Sequence, residues 1–129
     1  SKECKEESKL KKQPLVYYKR KQILFNSYGL KYEPRNEEEV KFVFYNMAKI
    51  LGFEILRLSS NIGLDCLAEY KGKEINIEFE YGLSGVLSHK YYNYDDIDLI
   101  IYWIHDIEIT DKKLLNLKEL IKQIYLNEK

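Results

Sequence analysis

The run Leu99-Ile100-Ile101-Tyr102-Trp103-Ile104 has no polar face. It is far shorter than the roughly 20 apolar residues of a membrane-spanning helix. Strand side chains alternate between the two faces of a sheet, so an extended run of this kind needs apolar cover on both. Asp98 to His105 therefore reads as a central parallel strand, and such a strand calls for a layered α/β domain with helices on its sheet. At 129 residues, 45% of them hydrophobic, the chain can build one core of this type.

The rest of the pattern supplies the other layers. Asn36 before Glu37-Glu38-Glu39 reads as an N-cap followed by acidic residues where the helix dipole favours them. Val40, Val43, Phe44, Met47, Ile50 and Leu51 form the apolar stripe of that helix, and Gly52 stops it. Phe53 to Leu58 alternates as a strand, Asp65 to Tyr70 as a second, and Glu74 to Tyr81 as a third, with a tight turn at Lys71-Gly72-Lys73 between the last two. Gly82 and Gly85 flank a crossover with a helix expected over Ser84 to Tyr92. After the central strand, Thr110 or Asp111 is expected to cap a final helix bearing Leu114, Leu115, Leu117, Leu120, Ile121, Ile124 and Tyr125. Upstream, the apolar spacing at 16, 17, 20, 23 and 24 predicts a helix over 15–28. The expected order is α-β-β-β-α-β-α, with a mixed four-stranded sheet flanked by helices.

The third strand carries the candidate chemistry. Ile75, Ile77, Phe79 and Tyr81 share one face, and Asn76, Glu78 and Glu80 the other. Pairing through the hairpin turn brings Asp65 beside Glu78 and Glu80. Three carboxylates at that density repel one another unless a cation lies between them, and hard oxygen ligands suit Mg²⁺ or Mn²⁺. The same spacing also fits a loop-ending Asp65 with two glutamates facing water.

These residues resemble the PD-(D/E)xK, or restriction-endonuclease-like, nuclease superfamily, whose αβββαβ core matches the order above. The resemblance is to prokaryotic and archaeal members and rests on several blocks: Asn36-Glu37…Val40, Leu51-Gly52-Phe53, Ile77-Glu78-Phe79-Glu80-Tyr81, Ser84…His89, and Asp98 to Asp106 with its Trp103-Ile104-His105-Asp106 end. It spans about residues 36–106. It implies that Asp65 and Glu78 hold a divalent cation, that the Phe79 carbonyl adds a ligand, and that Glu37 completes the metal site from the first helix. Two positions depart from the motif. Leu64 stands where the superfamily name has Pro, and Glu80 stands where it has Lys. A lysine there stabilises charge or orients the attacking water, whereas a glutamate acts as a base or a further ligand. Lys90 or His89, just downstream, are the expected replacements for the missing cation.

Charge is divided unevenly along the chain. Residues 1–36 hold ten Lys/Arg against four Asp/Glu, and residues 37–129 hold eleven against seventeen, so a basic segment precedes an acidic body. This organisation reads as a partly helical arm over 1–35 and an α/β domain over 36–129. Lys11, Lys12, Lys19, Arg20 and Lys21 are the expected contacts to a phosphate backbone, although a solvated Lys-rich leader has the same composition. Two cysteines, Cys4 and Cys66, provide neither a disulfide framework nor a zinc site. With no apolar leader in the first twenty residues, a cytoplasmic location is expected. The sequence thus predicts a Mg²⁺- or Mn²⁺-dependent nuclease acting on DNA, with a catalytically degenerate binding or interaction module as the alternative and a homodimer joined through the arm as a further possibility.

Overall fold

A computed structural model of the chain describes residues 28–59, 64–88 and 94–127. The helix expected over 15–28 (apart from Tyr28), the arm residues Lys11, Lys12, Lys19, Arg20 and Lys21, and His89 and Lys90 lie outside the described residues.

Helix α1 spans Glu37–Met47. Asn36 caps it as the sequence indicates: the Asn36 side chain accepts from the Glu39 amide at 2.9 Å, and Glu39 in turn accepts from the Arg35 amide at 3.0 Å. Val40, Val43, Phe44 and Met47 are buried along one side. The helix ends before the apolar stripe does. The Phe53 amide bonds back to the Ala48 carbonyl, Gly52 takes φ +91°, and the resulting turn leaves Ile50 65% exposed rather than in the core.

The strands are β1 (Phe53–Leu58), β2 (Cys66–Tyr70), β3 (Lys73–Gly82), β4 (Leu99–Ile104) and β5 (Lys113–Asn116), arranged in the order β1-β2-β3-β4-β5. The first three form an antiparallel meander, and β3, β4 and β5 run parallel. Lys71 (φ 51°) and Gly72 (φ 79°) make the two-residue turn between β2 and β3, whose left-handed backbone matches the twist of the flanking strands. That turn fixes the register Tyr70↔Lys73 through Cys66↔Ile77. The crossover from β3 to β4 carries a one-turn helix, α2 (Gly85–Ser88), and a 3-10 turn at Tyr94–Asp96; part of the helix expected over Ser84 to Tyr92 lies outside the described residues.

The C-terminal part differs from expectation. The sheet has five strands, not four, because Lys113–Asn116 pairs with β4 where the start of a helix is expected. Leu114 lies opposite Ile100 and Leu115 opposite Ile101, so the two leucines add to cores on opposite faces of the sheet. Pairing with the open side of β4 satisfies backbone groups that a helix at this position leaves bare. Neither Thr110 nor Asp111 caps the helix. Asn116 does, accepting from the Glu119 amide at 3.1 Å, and α3 runs Leu117–Asn127.

One face of the sheet, with Ile77, Phe79, Ile101 and Trp103, packs against Val40, Phe44 and Met47 of α1 and Leu117 and Ile121 of α3. On the other face Ile100 and Tyr102 pack with Leu83, Val86 and Ile97. The segment before α1 adheres to the body as well: Tyr28 is buried, and Glu33 accepts from Trp103 Nε1 at 3.1 Å while pairing with Lys118 at 3.1 Å. Trp103 is thus a core residue with its indole N–H satisfied.

Candidate functional site

The site arises where the β2–β3 hairpin stops pairing. Cys66↔Ile77 is the last ladder pair, so the Phe79 amide has no backbone partner on β2. Asp65, one residue before β2, supplies one: its Oδ2 accepts from the Phe79 N–H at 2.9 Å. The Asp65 carbonyl accepts from the Ser59 amide at 3.0 Å, which ties the residue to the end of β1. Phe79 is held from the other side by Phe44 and Tyr45 of α1, with ring centroids 5.4 Å and 5.6 Å away. Asp65 is therefore positioned by a packed strand rather than by its own loop.

Glu78 lies one step further along the antiparallel register, opposite Asp65, as the hairpin arithmetic requires. It is 3% exposed. Burial, a hydrogen bond to Asp65 and the charges of Asp65, Glu80 and Glu37 push its carboxyl up, favouring the protonated form. Its Oε2 is buried with no hydrogen-bond partner among the described residues. A buried polar oxygen without a partner is costly and rare in folded proteins.

Glu80 is on the same face as Glu78, next to Tyr102 in register, and is 2% exposed. The alternative in which these glutamates face water is not met. Glu80 fits because Gly85 opens α2 without a side chain: a Cβ there would lie 2.9 Å from Glu80 Oε1. Glu37, at the start of α1, reaches the site's border and contributes to the field that keeps Glu78 protonated.

The residue that links Asp65 to the acidic start of α1 is Lys41, which the sequence pattern did not single out. Its Nζ lies 3.2 Å from Glu37 Oε2, 3.1 Å from Glu38 Oε1 and 3.4 Å from Asp65 Oδ1, and only 17% of the side chain is exposed. Burial by itself would favour the neutral amine, but Asp65, Glu38 and Glu37 outweigh it and hold the ammonium above the ordinary lysine range. The available signal was Glu37-x-x-x-Lys41, an i,i+4 acid–base pair starting at the helix's acidic N-terminus.

The Trp103-Ile104-His105-Asp106 block does different work. Asp106 Oδ1 accepts from the Ser84 amide at 2.8 Å and Oδ2 from the Ser84 hydroxyl at 2.6 Å. The C-terminal exits of the parallel strands β3 and β4 are clasped together, and those bonds hold the Asp106 carboxyl below the usual carboxylate range. His105 sits between Tyr102 and Glu108, with 2.8 Å contacts from Nδ1 to the Tyr102 hydroxyl and from Nε2 to the Glu108 carboxylate.

Among the described residues no group of three or more His, Cys, Asp or Glu side chains stands at metal-ligand spacing. Asp65 and Glu78 provide two carboxylates, one of them with a buried oxygen to spare, and Lys41 lies between Asp65 and Glu37. Two carboxylates fit a hard cation such as Mg²⁺, which commonly takes one or two from the protein and completes its shell with water and substrate phosphate. No protein-family model matches the chain, and no curated protein or solved structure matches it.

Proposed function

We propose that the chain is a restriction-endonuclease-like phosphodiesterase that hydrolyses DNA with the help of Mg²⁺ or Mn²⁺. The observation that carries the reading is the buried Glu78 oxygen without a partner, set beside an Asp65 anchored to the backbone of the same strand. It is joined by the motif resemblance through Asp65, Glu78 and the Glu37 helix start. Asp65 and Glu78 would hold the cation. When bound, the cation supplies charge stabilisation for the phosphodiester and acidifies water. The protein's own part is arrangement. Phe79 holds one Asp65 oxygen, and the packing of the Phe79 ring on Phe44 and Tyr45 steadies the strand segment that carries Glu78. Metal binding requires Glu78 to give up its proton, so occupancy would rise with pH. The basic arm would add salt-sensitive contacts to the nucleic-acid backbone.

A second reading, a nuclease fold that binds without cleaving, draws on Glu80 in the lysine position and on Lys41 already neutralising Asp65. One experiment separates the two. Supercoiled plasmid and single-stranded DNA are incubated with the full chain in Mg²⁺, Mn²⁺ or EDTA, alongside Asp65→Asn, which keeps an acceptor for the Phe79 amide. The enzyme reading expects metal-dependent cleavage that Asp65→Asn lowers by about 10²-fold or more, in line with loss of a directly acting polar group. DNA binding without cleavage in either protein would leave the binding module.

A further inference from the structure

Asp65 Oδ2 accepts from the Phe79 N–H, so Oδ1 is the Asp65 oxygen more open to a cation. Lys41 Nζ lies 3.4 Å from that atom. The Lys41 stem rises from α1 beside Glu37 and Glu38, which hold the same ammonium at 3.2 Å and 3.1 Å. A lysine on a flexible four-carbon stem can leave one of these partners and keep the others. Meanwhile β3 carries no cation on the face of Glu78, because Glu80 occupies the place where one is expected, and the buried Glu78 Oε2 is left without a hydrogen-bond partner among the described residues.

Resting on the metal-dependent reading above, we propose that Lys41 is a tethered counter-ion that occupies Asp65 Oδ1 in the metal-free protein, is displaced when a divalent cation binds, and then pairs with the substrate phosphate. Lys41 and the metal compete for one carboxylate oxygen. Glu37 and Glu38 keep the displaced ammonium beside the site, so the cation missing from the Glu78 face of β3 is supplied from α1. Competition and contribution have opposite signs: removing Lys41 favours the metal and disfavours the reaction. A lysine serving only to steady α1 would do neither.

The test is a calorimetric titration of the full chain with Mn²⁺ alone, for wild type, Lys41→Met, Lys41→Gln and Asp65→Asn, followed by plasmid cleavage at saturating Mn²⁺. Circular dichroism confirms that each variant folds, and two Lys41 variants guard against one that does not. Both Lys41 variants should bind Mn²⁺ about tenfold more tightly than wild type, the factor that about 1.4 kcal/mol of lost competition gives. Their cleavage turnover should fall by about 10²-fold, a size usual for one lost charge-stabilising donor. Unchanged or weaker Mn²⁺ binding in both Lys41 variants, with Asp65→Asn still abolishing it, overturns the role of Lys41 and leaves the metal reading standing. Tighter binding with undiminished turnover overturns the phosphate half of the proposal. Mn²⁺ binding that is absent from all four proteins, or equal in wild type and Asp65→Asn, overturns the metal reading itself and Lys41's role with it.

Discussion

Asp106 and Glu78 are both carboxyl groups tied to the β3–β4 unit, and their surroundings could hardly differ more. Asp106 lies in solvent with each oxygen engaged by Ser84, and those donors favour its charged form. Glu78 is buried, keeps one oxygen without a partner among the described residues, and has its protonated form favoured by burial and by Asp65. Satisfied hydrogen bonds stabilise a structure, whereas a buried oxygen left over is a cost that folding alone does not explain. The comparison separates a clasp from a site. It also shows why the block ending in His105 and Asp106 and the block around Glu78, which the motif resemblance joins, do unlike things: one ties the exits of β3 and β4 together, the other leaves capacity for a ligand.

The largest effect expected from this contrast is on chemistry. Glu78→Gln keeps the size of the side chain and removes the ionisable oxygen, so cleavage should fall by about 10²-fold or more, and the gain in thermal midpoint given by Mn²⁺ should vanish. Asp106→Asn should leave cleavage near wild type. Equal losses in the two variants, measured on one plasmid substrate, would erase the distinction drawn here.

A charge placed on β3 should sharpen the same contrast. Glu80→Lys restores the lysine of the motif on the face shared with Glu78. If cation supply is what Lys41 contributes, Glu80→Lys should recover about tenfold or more of the turnover lost in Lys41→Met, a fraction of the usual charge-stabilising effect. The double variant then cleaves faster than Lys41→Met alone. No recovery, in a double variant whose folding is confirmed, would show that position on α1, not charge, is what matters.

Much of the fold was legible because single residues settle it. Phe53–Leu58 was read with the bounds the structure has, and the Asn36 cap and the Lys71-Gly72 turn are local signals acting on the backbone beside them. The turn also explains why Asp65 could be placed beside Glu78 and Glu80: a short hairpin limits the register, and the observed Tyr70↔Lys73 pairing then sets Asp65 against Glu78. β5 was not legible, since Leu114-Leu115 suits a helix stripe as well as a buried strand, and only the open side of β4 decides between them. The Asn116-x-x-Glu119 signal that marks the true helix start was present but lay inside an apparently continuous apolar stripe. Burial of Glu80 depends on Gly85, five residues away, and the Lys41–Asp65 contact joins α1 to the start of β2. Neither pairing follows from periodicity, because both are made by tertiary packing.

A smaller effect concerns the clasp. Ser84→Ala removes one donor from Asp106 and leaves the backbone bond in place. In an exposed, solvent-screened setting this should lower stability by about 1 kcal/mol, read as a shift in urea midpoint with an unchanged slope, while Mn²⁺ affinity stays the same. A change in Mn²⁺ affinity would mean that the clasped strand exits and the carboxylate pair are coupled.

The subtlest test sets the two carboxyls against each other through pH, in EDTA so that no cation intervenes. Glu78 has a raised folded-state pKa, about 9, against 4.5 as its ordinary value. Between those values the unfolded chain has released the proton and the folded one retains it, so unfolding releases a proton and stability falls as pH rises. The contribution is fully present below pH 4.5 and lost as pH climbs through about 9. Asp106 has the opposite sign. Its folded pKa lies below the ordinary 3.8, so its contribution is present above that value and is lost as pH falls through the lower one. Thermal midpoints measured from pH 3 to pH 9.5 should therefore decline toward the alkaline side in wild type. Glu78→Gln should flatten that decline and leave the acid limb, while Asp106→Asn should soften the acid limb and leave the decline. Because Asp106 is exposed, its share should be the lesser of the two. An alkaline decline that persists unchanged in Glu78→Gln would mean that Glu78 is already ionised in the folded protein, and that the Asp65–Glu78 pair does not share a proton.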